Sequence, residues 1–76
     1  MPFTSEIVFA FDLSKDEQVT LDVFDATGAL VSSTARALPA GPHELHLGDL
    51  ALRPAGFYWY VLQAGELVAR GKLSKR

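Results

Sequence analysis

Apolar side chains recur at every second position along most of the chain. In residues 19–23, Val19, Leu21 and Val23 alternate with threonine and aspartate, and residues 7–11 repeat the spacing with Ile7 and Phe9. Side chains alternate between the two faces of a strand, so such runs indicate strands that bury one face. No segment combines a sustained 3.6-residue apolar stripe with caps at both ends. The sequence therefore predicts an all-β fold.

Turn residues divide the chain into short strands. Asp25-Ala26-Thr27-Gly28 predicts a β-hairpin over residues 18–34 with a four-residue connection, and Ala64-Gly65-Glu66 predicts a second hairpin over residues 56–74. Residues 35–42 hold two prolines and a glycine and are predicted to be a loop, which precedes a short strand at residues 43–47. At most one helical turn is expected, at residues 47–52. Six to seven short strands of this kind predict a small immunoglobulin-like antiparallel β-sandwich.

Residues 57–62 are apolar or aromatic on both faces, which is typical of a central strand. A core this small needs large side chains, and each buried aromatic removes much apolar area from water. We therefore predict that Tyr58, Trp59 and Val61 form the core of the domain. The alternative is that rings on the outer face of this strand stack on sugars.

The length allows one domain, residues 1–76, and the absence of cysteine leaves packing alone to stabilise it. The first residues lack the basic and apolar regions of a secretory signal. No apolar run approaches the ~20 residues of a membrane span. We interpret the chain as a module excised from a longer protein.

Charge is distributed unevenly along the chain. Residues 1–69 carry three basic and nine acidic side chains, whereas residues 70–76 carry four basic ones and no acidic one. The acidic body argues against nucleic-acid binding, which needs a basic face against the phosphates. The basic end is either a solvated tail or a recognition element.

Residues with catalytic or metal-binding chemistry do not form a recognisable pattern. His43 and His46 are three apart and fall on opposite faces of a strand, so they cannot jointly hold a metal. Asp12, Asp16 and Glu17 cluster at one turn without the spacing of a calcium loop. No serine stands in a Gly-x-Ser-x-Gly elbow. The sequence therefore predicts no catalytic residue, no metal and no cofactor.

Several motifs occur in a familiar order. Pro2 opens the chain, residues 19–31 have the sequence VTLDVFDATGALV, residues 41–43 are GPH, residues 56–60 are GFYWY and residues 72–76 are KLSKR. This order resembles the type A C-terminal sorting domain of the type IX secretion system, also called the Por secretion tail family. The resemblance covers nearly the whole chain.

The resemblance implies a non-catalytic sorting signal. Such a domain directs a larger protein across the outer membrane for surface attachment or release, with the translocon and a surface sortase as partners. It implies that recognition lies in Lys72, Leu73, Lys75 and Arg76, and that the fold is shaped by Pro2, Asp25, Gly28, Gly41, Gly56 and Tyr58. The alternative from the residues is a structural, adhesive or carbohydrate-binding sandwich, fibronectin-like or hook-capping-like.

Overall fold

The computed structural model describes residues 2–3, 6–48 and 53–76. These residues form strands and turns without any helix, which confirms the predicted all-β class. The strands within the described ranges are β1 (Pro2–Phe3), β2 (Ile7–Leu13), β3 (Glu17–Asp25), β4 (Leu30–Leu38), β5 (Gly41–Leu47), β6 (Gly56–Ala64) and β7 (Leu67–Lys75).

The strands form two sheets that pack face to face as a small β-sandwich. The larger sheet has the order β1-β7-β6-β3-β4, and the smaller one pairs β2 with β5. Every pairing is antiparallel except that of β1 with β7, which is parallel. The sandwich agrees with the prediction, whereas the short parallel strand at Pro2 is an addition to it.

Both predicted hairpins are confirmed. Strands β3 and β4 are joined by residues 26–29, a connection of the predicted four residues that begins one residue later than predicted. A β-bulge shifts their register between Val23 and Phe24. Strands β6 and β7 are joined by Gly65 and Glu66. Local pairing of this kind brings sequence neighbours together with little loop to close.

The loop predicted at residues 35–42 is wrong, because strand pairing continues through most of it. Strand β4 runs on until Leu38 pairs with Glu17, and Pro42 lies in β5 opposite Asp12. Among the described residues, strand β5 pairs with β2 alone, and a proline without an N–H group is tolerated in a strand that pairs on one side. The remaining connection is tied down by Asp16, whose Oδ1 accepts a hydrogen bond of 2.9 Å from the backbone N–H of Ala40. The helical turn expected at residues 47–52 falls largely outside the described residues, and Leu47 itself ends β5.

The core lies between the inner faces of the two sheets. Its main cluster joins both sheets and consists of Ile7, Phe9, Leu21, Val23, Leu47, Tyr58 and Leu73. A smaller cluster at one end consists of Leu13, Val19 and Ala64. The alternation seen in the sequence therefore places the expected apolar side chains inside.

The prediction for the core of β6 is correct at Tyr58 and wrong at Trp59 and Val61. Strand β6 is the middle strand of the larger sheet, as expected. Tyr58 is buried, whereas Trp59 is 48% exposed and Val61 is half-buried. The smaller sheet covers only the inner face of β6, and Trp59 and Val61 point to the other face.

Strand β7 leaves space for an aromatic ring of its neighbour. Gly71 pairs with Tyr60, and a Cβ atom on Gly71 would lie 2.7 Å from the ring of Tyr60. The Tyr60 ring also meets Phe9 edge to face, with the ring centroids 4.9 Å apart. A side chain at position 71 would therefore push Tyr60 against the core.

Candidate functional site

Strand β7 lies next to the edge strand β1 in the larger sheet. Strand β7 pairs with β6 along its whole length, but with β1 only at Ser74 and Lys75. Within the described part of the chain, residues 67–73 therefore have a strand partner on one side only. The open side of such a strand presents backbone N–H and C=O groups that a further strand can bind.

The four residues predicted for recognition do not form one cluster. Lys72 is exposed on the outer face of the larger sheet, and Lys75, opposite Gly56, points to the other face. Arg76 follows the strand and is exposed, whereas Leu73 is fully buried in the main core. Leu73 thus supports the fold, and only the three basic side chains are accessible to a partner.

Lys72 belongs to a group of apolar and aromatic side chains whose proximity the sequence motifs did not predict. Its ammonium nitrogen lies 4.4 Å from the ring centroid of Phe57 and 5.9 Å from that of Trp59. Pairing across the sheet places Trp59 between Lys72 and Phe24, and Leu30 lies opposite Phe24 on β4. We call these five residues the aromatic face. The two-residue spacing of Phe57 and Trp59 and the position of Lys72 across the second hairpin were the signals that could have revealed it.

The motif glycines occupy backbone conformations that other residues rarely adopt. Gly28 lies in the turn of the first hairpin with φ of 89°, where its N–H donates to the carbonyl oxygen of Asp25 at 3.0 Å. Gly41 and Gly56 each begin a strand, with φ of 120° and 148° respectively. A side chain at these angles is strained. These positions therefore have a structural reason for glycine.

Tyr58 and Pro2 have distinct structural positions. The Tyr58 ring is buried in the core, and its hydroxyl donates a hydrogen bond of 2.6 Å to the carbonyl oxygen of Pro54. That bond ties the segment before β6 to the sandwich. Pro2 pairs with Ser74 at the start of β1.

Asp25 organises the turn of the first hairpin through one carboxylate oxygen. Its Oδ1 accepts hydrogen bonds from the Thr27 hydroxyl at 2.6 Å, the Thr27 N–H at 2.9 Å and the Ala29 N–H at 3.0 Å. The hydrogen bond from the Thr27 hydroxyl is the main cause that lowers the pKa of Asp25, with contributions from the backbone of Ala29 and Thr27 and from the charge of Arg53. The turn thus favours the ionised carboxylate.

We expect Asp25→Asn to lower the melting temperature at neutral pH, with a difference from the wild type that disappears in acid. The pKa of Asp25 is lowered in the folded chain. Its charge therefore stabilises the fold above the unfolded pKa, and that contribution is lost as pH falls through the folded pKa. Thermal unfolding of both proteins across the acidic range measures the difference. A difference that stayed constant with pH would show that the charge has no part in it.

The two histidines are held apart, in agreement with their spacing. The Nε2 atom of His43 lies 2.6 Å from the carbonyl oxygen of Pro39, and the Nδ1 atom of His46 lies 3.4 Å from Oε1 of Glu6. Residues 2–3, 6–48 and 53–76 contain no group of three or more histidine, aspartate or glutamate side chains that could hold a metal ion. The described chain also contains no helix of the length and apolarity needed to cross a membrane.

Comparison of the chain with protein-family models, curated proteins and solved structures finds no significant match in any of the three. A functional proposal for this chain therefore depends on the geometry of β7 and of the aromatic face, together with the order of the sequence motifs.

Proposed function

We propose that the chain is a non-catalytic C-terminal sorting domain of the type IX secretion system. In this role it directs an upstream passenger across the outer membrane, for attachment at the cell surface or for release. Its partners are the secretion translocon and the surface sortase. The order of motifs from Pro2 to Arg76 supports the proposal, as does the β-sandwich in which those motifs occupy turns and strand starts.

The observation that carries the proposal is the coincidence of an open strand edge with the basic end of the chain. Residues 67–73 of β7 pair on one side only among the described residues. Lys72, Lys75 and Arg76 lie at the same end of that strand, whereas the rest of the chain is acidic overall. A partner strand would gain backbone hydrogen bonds from the edge, and acidic groups beside it would pair with the basic side chains. This arrangement favours recognition by strand addition.

The test is delivery of a passenger to the cell surface. Residues 1–76 are fused to the C-terminus of a reporter that carries a periplasmic export signal, in a cell with an active type IX system. We expect the reporter to reach the cell surface when it carries the wild-type domain, and no reporter to reach the surface in a translocon-deficient strain. Neutralising Lys72, Lys75 and Arg76 with glutamine should reduce delivery at least tenfold, because it removes the charges beside the β7 edge.

The chain offers a matched control for this variant. Lys15, Arg36 and Arg53 are the three basic residues outside residues 70–76, and changing them to glutamine removes the same charge away from β7. Substitutions at exposed sites change stability by less than ~0.5 kcal/mol each. Lys75 is the one half-buried residue among the six and lies outside both core clusters, so both variants should remain folded. Equal delivery by the two folded variants would exclude the basic end from recognition. Failure of the wild-type domain to deliver the reporter would exclude the sorting function itself.

A further inference from the structure

We propose that the aromatic face binds an acidic sugar, the carboxylate-bearing pyranose ring of a uronic acid within a glycan chain. The aromatic face is the group formed by Phe24, Leu30, Phe57, Trp59 and Lys72 on the outer side of the larger sheet. This inference goes beyond the proposed sorting function. The two share Lys72, but the rings of the aromatic face lie on the outer side of the sheet and do not belong to the β7 edge.

The exposure of the two outer rings exceeds what packing requires. Phe57 and Trp59 are 51% and 48% exposed, although they lie on the central strand of the larger sheet. They point to the same side two residues apart, which separates them by about 7 Å along the strand. Leu30, in the same cross-strand row as Trp59, is 56% exposed. Large apolar side chains exposed together in this way mark a binding surface.

Lys72 gives this surface its charge preference. Its ammonium lies over the Phe57 ring, 4.4 Å from the ring centroid, and 5.9 Å from the centroid of Trp59, so a positive group stands beside a sugar that stacks on Trp59. A ring face carries negative potential and attracts the polarised C–H groups on the flat side of a pyranose. A carboxylate on the same sugar can form a charge-assisted hydrogen bond with the ammonium. A uronic acid combines the two groups in one residue.

The position of the face favours a glycan over a peptide or a nucleic acid. Trp59 lies in the interior of the sheet, where the backbone of β6 is already paired on both sides and has no hydrogen bonds to give an extended peptide. Nucleic acid needs several cations along its phosphates. In the next row of the same face, Asp22 and Arg70 lie on either side of Val61, so this row holds one acidic and one basic side chain. The Asp22 carboxylate accepts a hydrogen bond of 2.6 Å from the Ser33 hydroxyl. One lysine between two rings suits a single carboxylate on a flat sugar.

The test is a titration with oligogalacturonate, with maltohexaose as the neutral sugar. Trp59 is the only tryptophan of the chain, so its indole N–H resonance in NMR reports directly on the face. We expect oligogalacturonate to shift that resonance. Calorimetry should show at least tenfold weaker binding for Trp59→Ala and for Phe57→Ala. Lys72→Gln should remove the preference for oligogalacturonate over maltohexaose, while binding through the rings persists.

Two matched variants control for the loss of apolar area and of charge. Val68→Ala shortens an exposed side chain of β7 outside the aromatic face, and Lys15→Gln removes a charge from the β2–β3 turn. Both should bind as the wild type does. No shift of the Trp59 resonance at millimolar oligogalacturonate would overturn the proposal. So would an equal response to polyglutamate or to single-stranded DNA, since that would indicate a general anion surface. The melting temperature of each variant shows whether it folds. If Trp59→Ala fails to fold, the conservative Trp59→Phe takes its place.

Discussion

Replacing Tyr58 with alanine is expected to lower the free energy of unfolding by about 3–5 kcal/mol, the usual cost of removing a buried aromatic side chain. The Tyr58 side chain is 4% exposed and lies in the cluster that joins the two sheets. Removing it leaves a cavity in the core and a carbonyl oxygen at Pro54 without its donor. Because a domain of this size is only marginally stable, the variant should be largely unfolded at 37 °C. Chemical denaturation followed by circular dichroism measures the change.

Two variants separate the contributions of Tyr58. Tyr58→Phe keeps the ring and removes only the hydrogen bond to Pro54, so it should cost about 1 kcal/mol. Trp59→Ala removes a larger ring from the next position but from the exposed face, and should cost no more than about 1 kcal/mol. If Trp59→Ala destabilised the chain as much as Tyr58→Ala, the assignment of the two faces of β6 would be wrong.

Replacing Leu73 with alanine is expected to cost about 2–5 kcal/mol, the range for a buried leucine. Leu73 has no exposed area and pairs with Tyr58 across the second hairpin. The neighbouring Lys72→Gln should leave the free energy of unfolding within about 0.5 kcal/mol of the wild type, because that side chain is exposed. Urea denaturation of the two variants measures the contrast between adjacent residues. Equal destabilisation would show that β7 does not have the register described.

The contrast between Leu73 and Lys72 affects how export experiments are interpreted. A deletion of residues 71–76 removes a core side chain together with the basic ones, so loss of delivery would report unfolding as readily as lost recognition. Only substitutions confined to Lys72, Lys75 and Arg76 leave the core intact. The position of Leu73 in the core therefore decides which variant tests the sorting function.

Much of the fold could be predicted because alternation determines which face of a strand is buried. Val19, Leu21 and Val23 have polar neighbours, and all three are buried as expected. The turn at residues 25–28 could be predicted because aspartate and glycine each have a specific role in it. Local chemistry of this kind is fully visible in the sequence.

The rest could not be predicted because it depends on which strands meet. Residues 57–62 are apolar on both faces, so alternation could not tell that Tyr58 points inward and Trp59 outward. Prolines at positions 39 and 42 indicated a loop, but in the part of the chain that the structure describes β5 pairs with β2 alone and tolerates Pro42. The aromatic face depends on the register between β6 and β7, which places Lys72 opposite Trp59. Such neighbours across strands leave only a weak trace in the sequence.

The close fit of Tyr60 over Gly71 has a consequence for the alignment of β6. A slip of one residue would exchange the two faces of a strand, and in most strands it would move polar groups into the core. Strand β6 has less of that protection, since a slip would replace Tyr58 and Tyr60 with Phe57, Trp59 or Val61, which are also apolar. Gln63 is the one polar side chain that a slip would bring to the inner face. Shape reinforces the alignment, because Gly71 is the one residue of β7 without a side chain, and a Cβ atom there would lie 2.7 Å from the Tyr60 ring that packs beside Phe9. A single missing Cβ atom thus adds uniqueness to an alignment that hydrophobic patterning specifies only weakly.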